Sequence, residues 1–264
     1  MARRARLDAE LVRRGLARSR ADAAELIAAG RVAVAGQTAT KVATAVAADT
    51  PVLVVAADTG PGYVSRGGHK LAGALDTFGL SVAGRRCLDA GASTGGFTDV
   101  LLRRGAAGVL AVDVGYGQLA WALRTDERVR VLDRVNVRDL TAAQVGEPAE
   151  LAVADLSFIS LALVLPALAA VAAPDADLVP MVKPQFEVGR GRVGPGGVVR
   201  DPHLRAEAVR RVAAAAADLG LGVAGVTAST LPGPAGNVEY FLWLRRGAPP
   251  LDLDDLQEVV DGSG

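Results

Sequence analysis

The sequence predicts an α/β protein: a doubly wound, Rossmann-like parallel sheet that ends in an antiparallel hairpin and follows a small N-terminal α+β domain. Three observations predict this fold. Apolar strands alternate with amphipathic helices from Arg85 onward, and a glycine-rich turn follows the first of these strands. The last two strands are joined by a loop too short for a crossover helix, so they must run antiparallel.

The charge distribution divides the chain of 264 residues into parts. The net charge is zero, yet residues 1–48 contain nine Lys and Arg against four Asp and Glu, and the rest contains 20 against 25. We expect a basic domain over residues 1–58, a linker over 59–66, the α/β domain over 67–247 and an acidic tail over 248–264. The positive surplus at one end predicts an anionic partner for the first domain.

Residues 1–58 are expected to form two short helices and then extended chain. Apolar side chains recur at helical spacing from Leu7, and Gly30 stops the second helix. Ser19 is predicted to cap that helix, with Asp22 as its capping-box partner. Strand-like sequence follows, and arginines surround all of these elements.

This order of elements resembles the RNA-binding domain of the fourth small-subunit ribosomal protein. The resemblance rests on two short helices followed by G-R-V-x-V, with arginines on the first helix and at the start of the second. In that family these elements cradle RNA phosphates, and a guanidinium suits this task because it bridges two phosphate oxygens. A merely solvated basic surface is the alternative. The matched positions, predicted to bind RNA, are Arg4, Arg6, Arg18, Arg20 and Lys41.

The segment 85–100 predicts a strand, a glycine turn and the start of a helix. The N–H groups of such a turn and the positive end of the helix dipole can approach a ligand closely, although a tight connection without a ligand is also possible. Its pattern D-x-G-x-S-x-G differs from the dehydrogenase pattern G-x-G-x-x-G, and the leading carboxylate suits a ligand with a cationic end. The next strand ends on Asp113, the usual place for an acceptor of ribose hydroxyls.

These features together favour a cofactor that contains a nucleoside. The residues predicted to bind it are Asp89, Gly91, Ser93, Gly95, Gly96, Phe97, Asp113, Asn136 and Asp155.

The remaining elements continue the alternation of strand and helix, which is typical of a parallel sheet covered on both faces. The glycine-rich loop from Gln185 to Asp201, which carries three arginines, is expected to be a mobile flap over substrate RNA, with an idle surface loop as the alternative. Strands are predicted at 86–89, 108–112, 128–132, 151–154, 177–182, 221–228 and 238–244, and helices near 97–104, 117–124, 160–172 and 202–219.

Charged residues come together at one edge of the predicted sheet. Asp155 and Lys183 each end a parallel strand, and Glu239 lies near the start of an antiparallel one, so all three reach the edge where such sheets bind ligands. Lys70, on the helix before the first strand, could complete the set. Charges in apolar surroundings are costly unless paired, so the group is either a structural salt-bridge cluster or a site of chemistry.

This K-D-K-E set resembles the catalytic tetrad of the FtsJ-type ribose 2′-O-methyltransferases, and the chain as a whole resembles the TlyA family of ribosomal RNA cytidine 2′-O-methyltransferases. One departure lies in the linker, where some members have an Arg and a Trp and this chain has Pro61-Gly62-Tyr63. The resemblance covers nearly all of residues 1–245 and is carried by V-S-R-G-G-H-K-L (64–71), L-D-A-G-A-S-T-G-G-F-T (88–98), D-V-G-Y-G-Q-L (113–119), A-D-L-S-F-I-S-L (154–161), V-K-P-Q-F-E (182–187) and G-N-V-E-Y-F (236–241).

The resemblance implies S-adenosylmethionine as the cofactor and catalytic roles for Lys70, Asp155, Lys183 and Glu239. Lys183 is the candidate base for the ribose 2′-hydroxyl, which requires its neutral form; nearby Lys70 and partial burial are expected to disfavour the ammonium. Asp155 and Glu239 are expected to orient Lys183 and balance charge. The implied substrates are cytidines of 16S and 23S ribosomal RNA within assembled subunits, and no metal is needed.

Other classes of protein remain as alternatives. The chain could be a noncatalytic RNA-binding factor for ribosome assembly, a membrane-lytic protein of the haemolysin type, or a dehydrogenase. The longest apolar run, Leu161 to Ala173, is 13 residues, whereas a bilayer span needs about 20. The single cysteine, Cys87, rules out an internal disulfide and fits a reducing compartment, so we expect a soluble protein of the cytoplasm with no membrane partner.

Overall fold

A computed structural model describes residues 4–17, 19–28, 30–47, 50–54 and 62–263. Contacts within the chain divide it into two compact units, Met1–Gly62 and Tyr63–Gly264. The division falls inside the linker expected over residues 59–66, of which 59–61 lie outside the described residues. The finer domain boundaries stay predictions.

The first unit is a small α+β domain, as its sequence pattern predicts. Strand β1 pairs antiparallel with β4, and β2 pairs antiparallel with both β3 and β5. The backbone N–H of Asp22 donates to Ser19 Oγ over 3.1 Å, so the predicted cap is present. The elements are β1 (Arg4–Arg6), α1 (Leu7–Arg13), α2 (Arg20–Ala28), β2 (Val32–Val34), β3 (Gln37–Thr38), β4 (Ala45–Ala47) and β5 (Val52–Val54).

The second unit contains a seven-stranded sheet covered by helices. Its strands are β6 (Arg86–Ala90), β7 (Gly108–Asp113), β8 (Val129–Asp133), β9 (Ala149–Ala154), β10 (Ala172–Val182), β11 (Leu221–Ala228) and β12 (Tyr240–Arg246). Its helices are α3 (Gly67–Phe78), α4 (Gly96–Arg103), α5 (Trp121–Arg124), α6 (Ala142–Val145), α7 (Leu165–Val171), α8 (Pro184–Glu187), α9 (Pro202–Ala217) and α10 (Leu253–Asp261).

The strand order β11-β12-β10-β9-β6-β7-β8 confirms the doubly wound sheet. Strands β10, β9, β6, β7 and β8 pair in parallel, whereas β12 runs antiparallel to both β10 and β11. The predicted antiparallel hairpin is therefore β11 with β12. The order reverses between β6 and β9, and the carboxyl ends of strands at such a reversal form the crevice in which this class of sheet binds ligands.

Alternating side chains of the central strands enter two separate apolar cores. In β6, Leu88 joins a core completed by α7, α9 and α10, while Cys87 joins one completed by α3 and α4. The acidic tail is part of this structure, because α10 buries Leu256 and Val260. Within the described ranges, no helix is both long and apolar enough to cross a membrane.

Two predicted helices are wrong in length. Helix α5 covers only the last part, Trp121–Arg124, of the helix expected at 117–124. The chain turns before it, because Asp113 Oδ1 accepts a hydrogen bond from the N–H of Gly115 and Gly117 has a φ of 65°. The helix expected at 160–172 is a 3-10 turn followed by α7, and Ala172 already begins β10. These corrections leave the sheet and its carboxyl edge as predicted.

Candidate active site

The glycine turn after β6 is held against neighbouring backbone. Gly91 has a φ of 88°, and a Cβ there would lie 2.5 Å from the carbonyl oxygen of Asp155. Gly96 begins α4, and a Cβ there would lie 2.9 Å from the backbone nitrogen of Gly68 in α3. Only glycine fits these approaches without displacing the chain. The turn thereby brings α3, α4 and the end of β9 to one place.

A cavity of about 360 Å³ opens at this place and brings the four predicted catalytic residues together. It is lined by Lys70 from α3, Asp155 after β9, Lys183 after β10 and Glu239 before β12. The glycine turn forms another wall, with Gly91, Ser93, Gly96 and Phe97 among the predicted cofactor residues. Sheet topology explains the meeting of Asp155, Lys183 and Glu239, because their segments reach the same sheet edge, whereas Lys70 arrives on α3.

The four charged side chains form two ion pairs. Lys70 Nζ lies 2.5 Å from Glu239 Oε2, and both side chains are more than nine-tenths buried. Lys183 Nζ lies 2.6 Å from Asp155 Oδ1, and its side chain is 11% exposed. Each lysine therefore has its own acidic partner. The charge of Lys70 is balanced by Glu239, and that of Lys183 by Asp155.

Lys183 also donates a hydrogen bond to Ser157 Oγ over 3.1 Å. Asp155 Oδ1 also lies close to Lys183 Nζ, but the two atoms are not aligned for a hydrogen bond. Among the described residues, this buried oxygen has no hydrogen-bond partner. Ser157 was not singled out by sequence analysis. It stands in the motif A-D-L-S-F-I-S-L, two residues after the predicted Asp155, and that proximity was the available signal.

A second cavity of about 530 Å³ adjoins the first and shares Gly91, Ser93, Asp155 and Ser157 with it. Asp113 and Asn136, both predicted cofactor residues, line it together with Phe158. The Asp113 carboxylate accepts the backbone N–H of Ser93 over 2.8 Å and that of Gly115 over 2.7 Å. These bonds fix the carboxylate at the carboxyl end of β7, where it can accept further hydrogen bonds from a ligand.

Two predicted cofactor residues lie outside the linings of both cavities. Gly95 precedes α4 with a φ of 100°, and a Cβ there would lie 2.3 Å from Leu123 Cδ1, so this glycine serves packing. Asp89 is fully buried. Thr98 Oγ1 donates to its Oδ2 over 2.6 Å, and its Oδ1 has no hydrogen-bond partner in the part of the chain that the structure describes. Burial raises the pKa of Asp89 to about 7. Roles for both residues in cofactor binding stay predictions.

A third cavity of about 370 Å³ shares Lys183, Ser157 and Glu239 with the first. Two aromatic rings line it, those of Phe158 and Phe186, with centroids 5.2 Å apart. Phe158 is 91% exposed and has a φ of 65°, a conformation that is strained for a residue with a Cβ. Neither ring belongs to a regular apolar pattern, so the sequence carries no signal that predicts their place in this cavity.

The loop from Gln185 to Asp201 borders this third cavity and is partly packed. Glu187 accepts hydrogen bonds from Ser160 Oγ over 2.6 Å and from the N–H of Leu161 over 2.8 Å. The N–H of Val199 donates to Asn237 Oδ1 over 2.9 Å, and Val199 is buried. Both ends of the loop are thus anchored, and its proposed motion over RNA stays a prediction.

Two of the predicted RNA-binding residues of the first unit share one carboxylate. Arg6 and Arg20 both contact Asp8, at 3.1 and 2.8 Å, and their side chains are 51% and 61% exposed. Lys41 is exposed. Arg18 and the side chain of Arg4 lie outside the described residues. Asp8 therefore orients two guanidinium groups whose outer surfaces face solvent.

Three features together define a methyltransferase. They are the doubly wound sheet with its antiparallel last strand β12, the glycine turn after β6 and the charged set at the carboxyl edge of the sheet. The model of the FtsJ-like methyltransferases matches residues 63–246, and the model of the S4 domain matches residues 5–51. The chain belongs to the FtsJ-like methyltransferase family and carries an S4 domain before the methyltransferase domain.

Relatives of known name match almost the whole chain. The 16S/23S rRNA (cytidine-2′-O)-methyltransferase TlyA of Mycobacterium tuberculosis strain H37Rv is 67% identical over 93% of this chain and 91% of its own length. YqxC of Bacillus subtilis strain 168 is 44% identical over 97% and 92%. A solved structure of a hemolysin-designated protein from Streptococcus thermophilus is 38% identical, covers 100% of this chain and 96% of its own, and has a TM-score of 0.78.

Proposed function

We propose that this protein transfers a methyl group from S-adenosylmethionine to the ribose 2′-hydroxyl of cytidine in ribosomal RNA. The observation that carries the proposal is the convergence of Lys70, Asp155, Lys183 and Glu239 on one cavity beside the glycine turn. The name of the M. tuberculosis relative supplies the substrate class, since that relative matches 93% of this chain. The described residues hold no group of three or more His, Cys, Asp or Glu suited to a metal ion.

The two adjoining cavities fit the proposed cofactor. The first is bounded by the glycine turn, where a side chain at Gly91 would fill the space next to Asp155, and the second presents the Asp113 carboxylate. The Asp113 carboxylate, at the end of β7, suits ribose hydroxyls as a hydrogen-bond acceptor. Carboxylates such as Asp155 suit a cationic group. S-adenosylmethionine, when bound, supplies a methyl group on a positively charged sulfur.

The chain's own residues would then prepare the nucleophile. The amine of Lys183, once it has released a proton to solvent, accepts the proton of the 2′-hydroxyl. The ribose oxygen would then be the nucleophile that takes the methyl group supplied by the bound cofactor, with a methylated ribose and the cofactor's thioether as the products. Asp155 balances the charge that Lys183 gains, and the Lys70–Glu239 pair holds α3 against β12. Because no covalent enzyme intermediate is needed, most of the rate must come from positioning.

The third cavity suits the nucleotide that carries this hydroxyl. It shares Lys183 with the first cavity, and the exposed ring of Phe158 lines it. RNA bases that leave a helix are commonly stacked on aromatic side chains. A large exposed aromatic residue in a strained conformation beside the proposed base is therefore explained by contact with substrate.

The test is methyl transfer to ribosomal subunits from cells that lack this protein, with the 2′-O-methyl marks mapped along 16S and 23S RNA. Wild-type protein is expected to place a mark on cytidine that depends on S-adenosylmethionine. Lys183→Ala is expected to lower the rate at least about 100-fold, the usual contribution of a general base, while cofactor binding by calorimetry changes little.

Lys183→Arg is the matched control, since it keeps the charge and the contact to Asp155 but cannot act as a base near neutral pH. We expect it to be as inactive as Lys183→Ala. Substantial activity in the arginine variant would reduce Lys183 to an electrostatic role. Wild-type protein that leaves no mark on either RNA would refute the proposed function.

A further inference from the structure

Ser157 occupies the junction of the candidate site. It lines the first, second and third cavities, and so borders the methyl-donor side and the nucleotide side at once. Its hydroxyl accepts the hydrogen bond from Lys183 Nζ over 3.1 Å. An exposed serine at a surface would ordinarily bond to water, so its alignment with the proposed base calls for an explanation.

The loop that carries Ser157 is fixed at both ends. At its start, the N–H of Asp155 donates to the carbonyl oxygen of Ala90 in β6 over 3.0 Å. At its end, Glu187 accepts from Ser160 Oγ and from the N–H of Leu161. Glu187 belongs to α8, which begins directly after Lys183. The serine and the lysine are therefore held in register by segments that are bonded to each other.

The hydrogen bond to Ser157 sets the direction in which the amine of Lys183 points. The carboxylate of Asp155 lies close enough for a strong Coulomb attraction but is not aligned as a hydrogen bond. Among the described residues, Ser157 Oγ is the aligned side-chain acceptor of Lys183. A hydrogen bond with one fixed acceptor restricts rotation about the bond from Cε to Nζ, and hence sets where the remaining tetrahedral positions of the nitrogen point.

We propose that Ser157 is a positioning residue that holds the Lys183 amine so that its free position faces the junction of the donor and nucleotide cavities. This rests on the proposed function, in which Lys183 accepts the 2′-hydroxyl proton. The hydroxyl of Ser157 contacts Lys183 and takes no proton from the substrate. Its contribution is orientation.

The experiment compares Ser157→Ala with Ser157→Thr, which keeps the hydroxyl, using the full chain and ribosomal subunits as substrate. Ser157→Ala is expected to lower kcat by about 10- to 100-fold, with the KM for S-adenosylmethionine within about twofold of wild type. Ser157→Thr is expected to restore kcat, which separates loss of the hydroxyl from a general disturbance of the loop.

Ser81→Ala is the control, since Ser81 is exposed on the same unit and lines none of the three cavities. The proposal is overturned if Ser157→Ala keeps kcat within about twofold of wild type, if its loss appears in the KM for S-adenosylmethionine instead of kcat, or if Ser157→Thr fails as the alanine variant does. Failure of the proposed function looks different, because wild-type protein itself would then leave no methyl mark.

Discussion

Asp89 is a buried carboxyl group at the end of β6, and its surroundings in the folded chain stabilise its ionised form poorly. Thr98 Oγ1 donates a hydrogen bond to its Oδ2, and its Oδ1 has no hydrogen-bond partner among the residues that the structure describes. Burial therefore raises its pKa to about 7, with smaller contributions from the charges of Asp155 and Asp113.

The raised pKa of Asp89 predicts a measurable dependence of stability on pH in the absence of cofactor. Between about pH 4 and pH 7 the unfolded chain has released this proton and the folded chain still holds it, so the free energy of unfolding falls as pH rises. Asp89→Asn removes that titration. We expect the stability difference between pH 4 and pH 8 to be smaller in the variant by on the order of 2–4 kcal/mol.

Urea unfolding of both proteins at the two pH values measures this difference. Any loss that the amide causes by itself is the same at both pH values and cancels. Asp175→Asn, at an exposed position of β10, gives the baseline for removing one carboxylate. Parallel stability curves for Asp89→Asn and wild type across this pH range would contradict the assignment.

At the scale of elements, the close approach of α3 and α4 places Lys70 in the site. Gly96 at the start of α4 lies against the first turn of α3, where a Cβ would come within 2.9 Å of the Gly68 nitrogen and 2.2 Å of Ser65 Oγ. The serine side chain can rotate away, whereas the backbone of α3 must move as a unit. Lys70 is two residues from Gly68, so a displaced α3 would stretch the ion pair with Glu239.

Gly96→Ala is therefore expected to lower stability by about 1–3 kcal/mol and to reduce methyl transfer as well. Gly191→Ala is the matched control, because a Cβ at Gly191 meets nothing within 4 Å and its φ is not positive. Urea midpoints and initial rates measured together test the prediction. Equal midpoints for the two variants would show that α3 and α4 tolerate the extra methyl group.

The sequence predicted those elements whose function depends on sheet topology. Asp155 and Lys183 could be assigned to one edge because parallel strands end there, whatever the detailed packing. Ser157 and Phe158 could not, since their positions depend on a positive φ and on Glu187, which lies 29 residues beyond Phe158 in the chain. The ion-pair partners were likewise beyond sequence reasoning, because the same four charges could have paired in another way.

At the scale of the whole molecule, positive charge is concentrated before the methyltransferase domain. The first 48 residues carry a surplus of five, and the rest of the chain an equal deficit, so attraction to RNA phosphates must come chiefly from the S4 domain. Within that domain, Asp8 serves Arg6 and Arg20 together. The bond with Arg6, and more weakly that with Arg20, holds the pKa of Asp8 well below its usual range, so this carboxylate stays ionised and keeps both guanidinium groups in place.

Arg20→Ala is accordingly expected to weaken binding of the full chain to ribosomal subunits several-fold at low salt, and to reduce the slope of log K against log salt by about one. Arg13→Ala is a close match, because Arg13 also pairs with a buried acid, Glu10, and its side chain is 60% exposed against 61% for Arg20. Arg13 lies outside the set that resembles the RNA-binding family, so its removal should leave the slope unchanged. Binding measured from about 50 to 300 mM salt separates the two variants. If they lose the same affinity with the same salt dependence, RNA recognises the general positive charge of this domain rather than the pair of guanidinium groups that Asp8 orients.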